Sequence, residues 1–303
     1  MPARKLFPLG LFAVFAAALS VALVAARTDP PGEKTLYKKQ SAYTTIMVTE
    51  NERGLRTLWF EEDGARQSVV KVGDPDHVEL SYARVMPVGL ALVEDPRRVL
   101  IVGLGGGTIP MFLHKHYPKT TIDVVDIDPD VVDVAKRFFG FKEDATLRAY
   151  VDDGRRFIEK CRNPYDIIFL DAFGSENIPY HLATREFLRA VRKAITPGGV
   201  VLGNVWSRGS NPLYECMVRT YEDVFEELYL CDVPSAGNEI LVALPRKARI
   251  DREALARRAG KLSKERQFRF SLGDAVEYGF RRPGENESGG RVLTDKDRPK
   301  PAD

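Results

Sequence analysis

Cysteine is scarce in this chain of 303 residues: there are three, Cys161, Cys216 and Cys231, far apart and without a C-x-x-C pair. An odd number at such spacings excludes a disulfide framework and reads as ordinary reduced core thiols. Histidine is nearly as rare, at four. His114 and His116 stand two positions apart, which points them to different sides of a helix, so no metal site is expected. A dominant charge sign is also missing. With 45 basic and 43 acidic residues, the formal net charge is +2, and this gives no electrostatic case for a nucleic-acid partner. Internal repeats are absent. The length suits one large α/β domain plus a small appendage.

One long uncharged run is present, residues 6–26. It is long enough to cross a bilayer and is also compatible with a signal peptide, so residues 1–30 form a membrane anchor or a signal segment. Arg27, Lys34, Lys38 and Lys39 outnumber Arg4 and Lys5. The positive-inside tendency then favours an uncleaved anchor with the following domain on the cytoplasmic side; the alternative is export through a cleaved leader. Pro30, Pro31 and Gly32 make a short linker.

The stretch that organises the chain is residues 98–130, which reads as strand, glycine turn, helix, strand, acid. Residues 99–102 are continuously apolar, as in a parallel strand buried on both faces. They lead into Gly103, Gly105, Gly106 and Gly107, a turn that lets the backbone approach a ligand and presents N–H groups at a helix start. The second strand, 122–125, ends in Asp126 and Asp128, where such folds keep the carboxylate that accepts hydrogen bonds from a ribose. A dinucleotide fingerprint would need a third glycine where Thr108 stands, which argues against NAD. Two further strands also end in acids. Residues 147–151 stop at Asp152-Asp153-Gly154, and 165–170 stop at Asp171. Acids at three successive strand ends fit an S-adenosyl donor, although any one of them reads equally as a cap on the next helix.

Residues 36–75 are β-rich, with runs at 43–49 and 55–60 around the turn at Asn51 and Gly54. Residues 78–93 read as a helix bent at Pro87. From 76 to 250, strands and helices alternate, which gives a doubly wound α/β sheet whose ligand lies beyond the carboxyl ends of its strands. Residues 252–270 look like a charged terminal helix within a 251–280 segment, and 281–303, polar and rich in Pro and Gly, read as a disordered tail.

Over residues 40–244 the chain resembles the spermidine synthases (polyamine aminopropyltransferases) and their methyltransferase-like relatives. The resemblance rests on QSAYTTIMV, the Gly103 turn, Asp126-Ile127-Asp128, Asp153-Gly154, YDIIFLDAF and TPGGVVLGNVW. It implies a Rossmann-like sheet of the S-adenosylmethionine methyltransferase type, with a small N-terminal β-sheet closing over the acceptor pocket. It also implies S-adenosylmethionine or its decarboxylated form as co-substrate, a small amine or polyamine as acceptor, and a homodimer, since relatives often pair. Asp126 would hold the ribose and Asp153 the adenine amino group. Gly103, Gly105, Gly106 and Gly107 would line the sulfonium tail, with Gly154 and Asp171 completing the donor site. Ile127 is either a wall for the adenine ring or plain core packing. Tyr82 and Tyr180 would line the acceptor side.

Three departures from the family pattern bear on chemistry. The D-S-S-D-P-like loop appears as Asp171-Ala172-Phe173-Gly174-Ser175, so the first acid survives while the position of the base falls on Gly174. Asp171 or the nearby Glu176 would then be the catalytic group. The family's Gly-Gly-Gly-Asp-Gly turn has Gly106 in place of its acid, which removes repulsion toward a carboxylate on the donor. Its Tyr-His-Glu segment reads Tyr82-Ala83-Arg84, and an inward Arg84 would repel a polyamine. Three expectations therefore stand together: an aminopropyltransferase with a shifted base, a methyltransferase on the same scaffold, and a nucleoside-binding protein without turnover. The family label favours the first, and the substituted residues favour the second or third.

Overall fold

The computed structural model describes residues 32–62, 64–174 and 178–297. Four strands open it: β1 (Glu33–Gln40), β2 (Thr45–Asn51), β3 (Leu55–Trp59) and β4 (Arg66–Lys71). They form an antiparallel sheet in sequence order. The β2–β3 hairpin closes where Gly54, at a φ of +69°, returns its N–H to the Asn51 carbonyl at 2.9 Å. Asn51 Oδ1 accepts from the N–H groups of Arg53 and Leu55 at 3.0 Å each, the local turn chemistry that makes Asn a strong turn residue. Ile46, Val48 and Leu58 point inward and are fully buried.

The bent helix expected over 78–93 is two pieces, α1 (Ser81–Val85) and a 3-10 turn, Met86–Ala91. Pro87 has no N–H to continue the α-helical ladder, so the chain tightens there. The main sheet then begins with β5 (Arg98–Val102), α2 (Thr108–His116), β6 (Thr121–Asp126), α3 (Pro129–Phe138), β7 (Leu147–Val151) and α4 (Gly154–Glu159). It continues with β8 (Tyr165–Leu170), α5 (Arg185–Ala194), β9 (Ile195–Trp206), α6 (Tyr214–Val224), β10 (Glu227–Asp232) and β11 (Asn238–Leu244). Helices α7 (Arg252–Glu265) and α8 (Leu272–Gly279) and the short strand β12 (Phe280–Arg281) follow.

The eight-stranded order is β12-β10-β11-β9-β8-β5-β6-β7. Strands β7, β6, β5, β8 and β9 run parallel to their neighbours, and β11, β10 and β12 add an antiparallel edge. This is an α/β Rossmann-like doubly wound sheet with a small N-terminal β-sheet attached. Alternation along β5 sends Val99 and Ile101 to one face, with Ile46, Val48 and Leu58, and Leu100 and Val102 to the other, with Phe187 and Val218 of α5 and α6. Winding reverses between β5 and β8, the place where such sheets open a crevice at their carboxyl ends.

Three expectations change. The membrane-anchored location is corrected: among the described residues no helix is long and apolar enough to cross a membrane, and residues 6–26, on which that expectation rested, lie outside them. The terminal helix over 252–270 is instead a pair. Gln267 sits in the left-handed region at a φ of +57° and ends the first member, while Ser271 caps the second by accepting from Asp274 N–H at 3.1 Å. Residues 281–297 are not a free polar run either. Leu293 is fully buried, its carbonyl accepts from Arg185 N–H at 2.8 Å, and its own N–H reaches Thr220 Oγ1 at 2.9 Å. One buried leucine and a set of ion pairs order this segment, and composition does not register either.

Candidate active site

Beyond the ends of β5, β6, β7 and β8 the glycine turn and four acids line one cavity of about 460 Å³, within the size range of small-molecule sites. Gly103 makes the turn, and its N–H returns to Val125 O at 2.8 Å. At the next residue the N–H of Leu104 points at Asp126 Oδ2, 2.9 Å away, and Asp128 N–H reaches Asp126 Oδ1 at 3.0 Å. Burial raises the Asp126 pKa, and the backbone N–H groups of Asp128, Leu104 and Gly105 oppose that rise. The acid is thereby fixed in place with lone pairs left for a ligand.

Gly103, Gly105, Asp126, Ile127, Asp153, Gly154 and Asp171 all line this cavity, as do Tyr82 and Tyr180. Ile127 is 39% exposed, so it is a wall of the cavity rather than a core residue. Gly106 and Gly107 are not among the lining residues. A side chain at 106 would press on Phe139 and Ser68, and one at 107 on Phe141. These two glycines pack the turn against its neighbours and start α2, while the ligand face belongs to Gly103 and Gly105. Glu176 lies outside the described residues. Arg84 is exposed, and its Nε donates to Val78 O at 2.5 Å, so its charge stands outside the cavity.

The capping and ligand readings of the acids coexist. Asp128 caps α3, accepting from Asp130 N–H at 2.9 Å, and Asp153 caps α4, accepting from Arg156 N–H at 2.9 Å. Asp153 Oδ2 also meets His181 Nε2 at 2.8 Å, and Asp128 Oδ2 accepts from Ser41 Oγ at 2.5 Å. The Ser41 contact fastens the β1–β2 turn over the cavity, where Tyr43 and Thr44 join the lining.

At the end of β8, Asp171 accepts from Asn204 Nδ2 at 2.8 Å. Burial pushes its pKa up to about 7, with Asn204 and the Tyr82 hydroxyl drawing it down. Tyr82 also donates to Gln67 O at 3.2 Å, and burial beside Asp171 holds its phenol well above its ordinary value. The cavity therefore carries the carboxylates of Asp126, Asp128 and Asp153 together with that of Asp171, whose pKa is raised to about 7.

His181 and Asn204 carry no role in the sequence reading. Asn204 had a signal: it is a single amide inside the buried run 200–205. His181 had none, because nothing in its neighbourhood marks Asp153 as its partner.

A family model described as the spermine/spermidine synthase domain matches residues 80–242. The polyamine aminopropyltransferase of Vibrio vulnificus (strain CMCP6) is 35% identical over 237 residues, which covers 74% of this chain and 78% of that protein. A probable spermidine synthase from Corynebacterium glutamicum ATCC 13032 superposes with a TM-score of 0.70 at 20% identity, over 86% of this chain and 96% of that chain. At that identity the likeness concerns the fold alone. Human methyltransferase-like protein 13 in complex with SAH gives a TM-score of 0.54 at 27% identity, over 68% of this chain and 96% of that chain.

Proposed function

The chain belongs to the spermine/spermidine synthase family, and on that footing we propose that it transfers an aminopropyl group from a decarboxylated S-adenosyl sulfonium to an amine. The observation that carries this reading is the single cavity joining Gly105, Asp126, Asp153 and Asp171. In this reading Asp126 holds the ribose and Asp153 the adenine amino group. Ile127 packs against the ring, and Gly103 and Gly105 let the sulfonium tail pass close to the backbone. The relationship to the Vibrio vulnificus polyamine aminopropyltransferase supports a small amine or polyamine as acceptor.

The sulfonium supplies its own leaving group, so the protein has to align the amine and take its proton. The amine nitrogen forms the new C–N bond, the C–S bond breaks with its electron pair going to sulfur, and the proton passes to Asp171. A carboxylate with a pKa of about 7 is deprotonated in a large fraction of molecules at neutral pH and still basic enough to accept a proton. Glu176 is the second candidate for that proton. Tyr82 and Tyr180 flank the acceptor path.

A second reading, methyl transfer from S-adenosylmethionine, draws on the sequence, where Gly106 replaces the acid of the family turn, while residue 106 itself packs against Ser68 and Phe139. The SAH-bound methyltransferase-like neighbour supports it as well. Incubating the full chain with each donor and with 1,4-diaminobutane or butylamine, followed by mass spectrometry of the amine, separates the readings. An aminopropylated amine supports the first and a methylated amine the second. An unmodified amine with bound donor would leave a nucleoside-binding protein.

A further inference from the structure

Asp171, Asn204 and Asn238 form a chain of hydrogen bonds across three adjacent strands, from the end of β8 through β9 to the start of β11. Asn204 is 2% exposed. Its Nδ2 donates to Asp171 Oδ1 at 2.8 Å, and its Oδ1 accepts from Asn238 Nδ2 at 3.0 Å. Asn238 lies outside the donor cavity, in a smaller neighbouring one of about 220 Å³ that shares Tyr82 and Phe173 with it.

An amide has one accepting and one donating face, and a buried amide uses both. An ionised Asp171 can only accept, so it requires the donating face of Asn204. Rotated by half a turn, the same amide would offer its oxygen, which only a protonated Asp171 can satisfy. The partner on the far side of Asn204 therefore selects the face that Asp171 meets. We propose that Asn238 is a positioning residue: by donating to the Asn204 oxygen it holds that amide with its NH₂ toward Asp171 and keeps Asp171 in its proton-accepting form.

This inference rests on the reading of Asp171 as the base. The titratable group facing Asp171 is Tyr82 of α1, whose phenol stays protonated. From the β5 turn and from β9 the neighbours are Gly103 and Asn204, which do not ionise. Asp126, Asp128, Asp153 and His181 line the same cavity from the ends of β6 and β7 and from the 180–182 turn.

The test is a ¹³C NMR titration of the full chain labelled at aspartate carboxyls, with the Asp171 signal assigned by its loss in Asp171→Asn. Asn238→Ala removes the donor, and the Asp171 midpoint should rise by about half a pH unit. Asn238→Asp presents an acceptor to Asn204 and adds a charge, and the midpoint should rise by about one unit or more. An unchanged midpoint in Asn238→Ala overturns the proposal, whatever Asn238→Asp does. If Asn238→Ala does not fold, Asn238→Leu supplies the readout, because it removes the donor while keeping the volume; its midpoint should rise likewise, and an unchanged midpoint there also overturns the proposal. The failure of the base reading looks different: wild-type Asp171 would then titrate in the ordinary carboxylate range.

Discussion

Gly103 and Asp171 meet backbone to backbone, so closely that a Cβ on residue 103 would stand 2.3 Å from the Asp171 carbonyl oxygen. Residue 103 also has a φ of +102°, which side-chain-bearing residues rarely adopt. The first turn of the donor site and the proposed base are thus built on one contact between β5 and β8. Gly103→Ala should cost about 3 kcal/mol or more in stability, from backbone strain and from parting the two strand ends. Denaturant unfolding measures this, and a wild-type midpoint would show that the contact is slack.

As the proposed base, Asp171 should set a pH dependence of both activity and stability. Its folded pKa is about 7, against about 3.9 for an unfolded aspartate. Between these values the folded state binds more protons, so this group's contribution makes stability fall as pH rises from 4 to 7 and level off above. Asp171→Asn removes that slope. It should lower transfer at least about 100-fold while stabilising the protein at pH 8 by at most about 4 kcal/mol. Thermal melts across pH read the second effect, and a variant melting below wild type at pH 8 would contradict it.

The tail reaches the same site from outside. Asp295 takes two hydrogen bonds from Arg155, both at 2.7 Å, and one from Thr184 Oγ1 at 2.8 Å. Arg155 follows Gly154 directly, and Tyr180 donates to Thr294 O at 3.3 Å. Asp295 is 41% exposed, so screening keeps the pair's worth to about 1 kcal/mol. Its pKa is lowered, chiefly by Arg155, so the stabilisation is full above the unfolded carboxylate pKa of about 4 and is lost as pH falls from there through the lowered folded pKa. Asp295→Asn should lower stability by about 1 kcal/mol at pH 7 and by less at pH 3. Equal losses at both pH values would argue against the ion pair.

That the glycine turn and Asp126 share a cavity was legible because the stretch is local. A buried strand, a glycine turn and an acid at the next strand end follow one another within 33 residues, 98–130. The parallel sheet followed from alternation of apolar runs and amphipathic helices. What stayed hidden depends on contacts between distant positions: His181 on Asp153, Ser41 on Asp128, Asn238 on Asn204, and Leu293 with Asp295 against α4 and α5. Gly106 and Gly107 were misplaced for a different reason. A run of glycines shows that the backbone turns, but the direction each residue faces depends on Ser68, Phe139 and Phe141, which come from other parts of the chain.

Calorimetric titration of the full chain with S-adenosylmethionine and with its decarboxylated form, for wild type and Asp126→Ala, tests the central claim most directly. Wild type should bind an S-adenosyl compound, and Asp126→Ala should lose about 100-fold or more in affinity, through the lost ribose contact and a loosened Leu104 turn. Wild-type affinity in a folded Asp126→Ala variant would contradict the account.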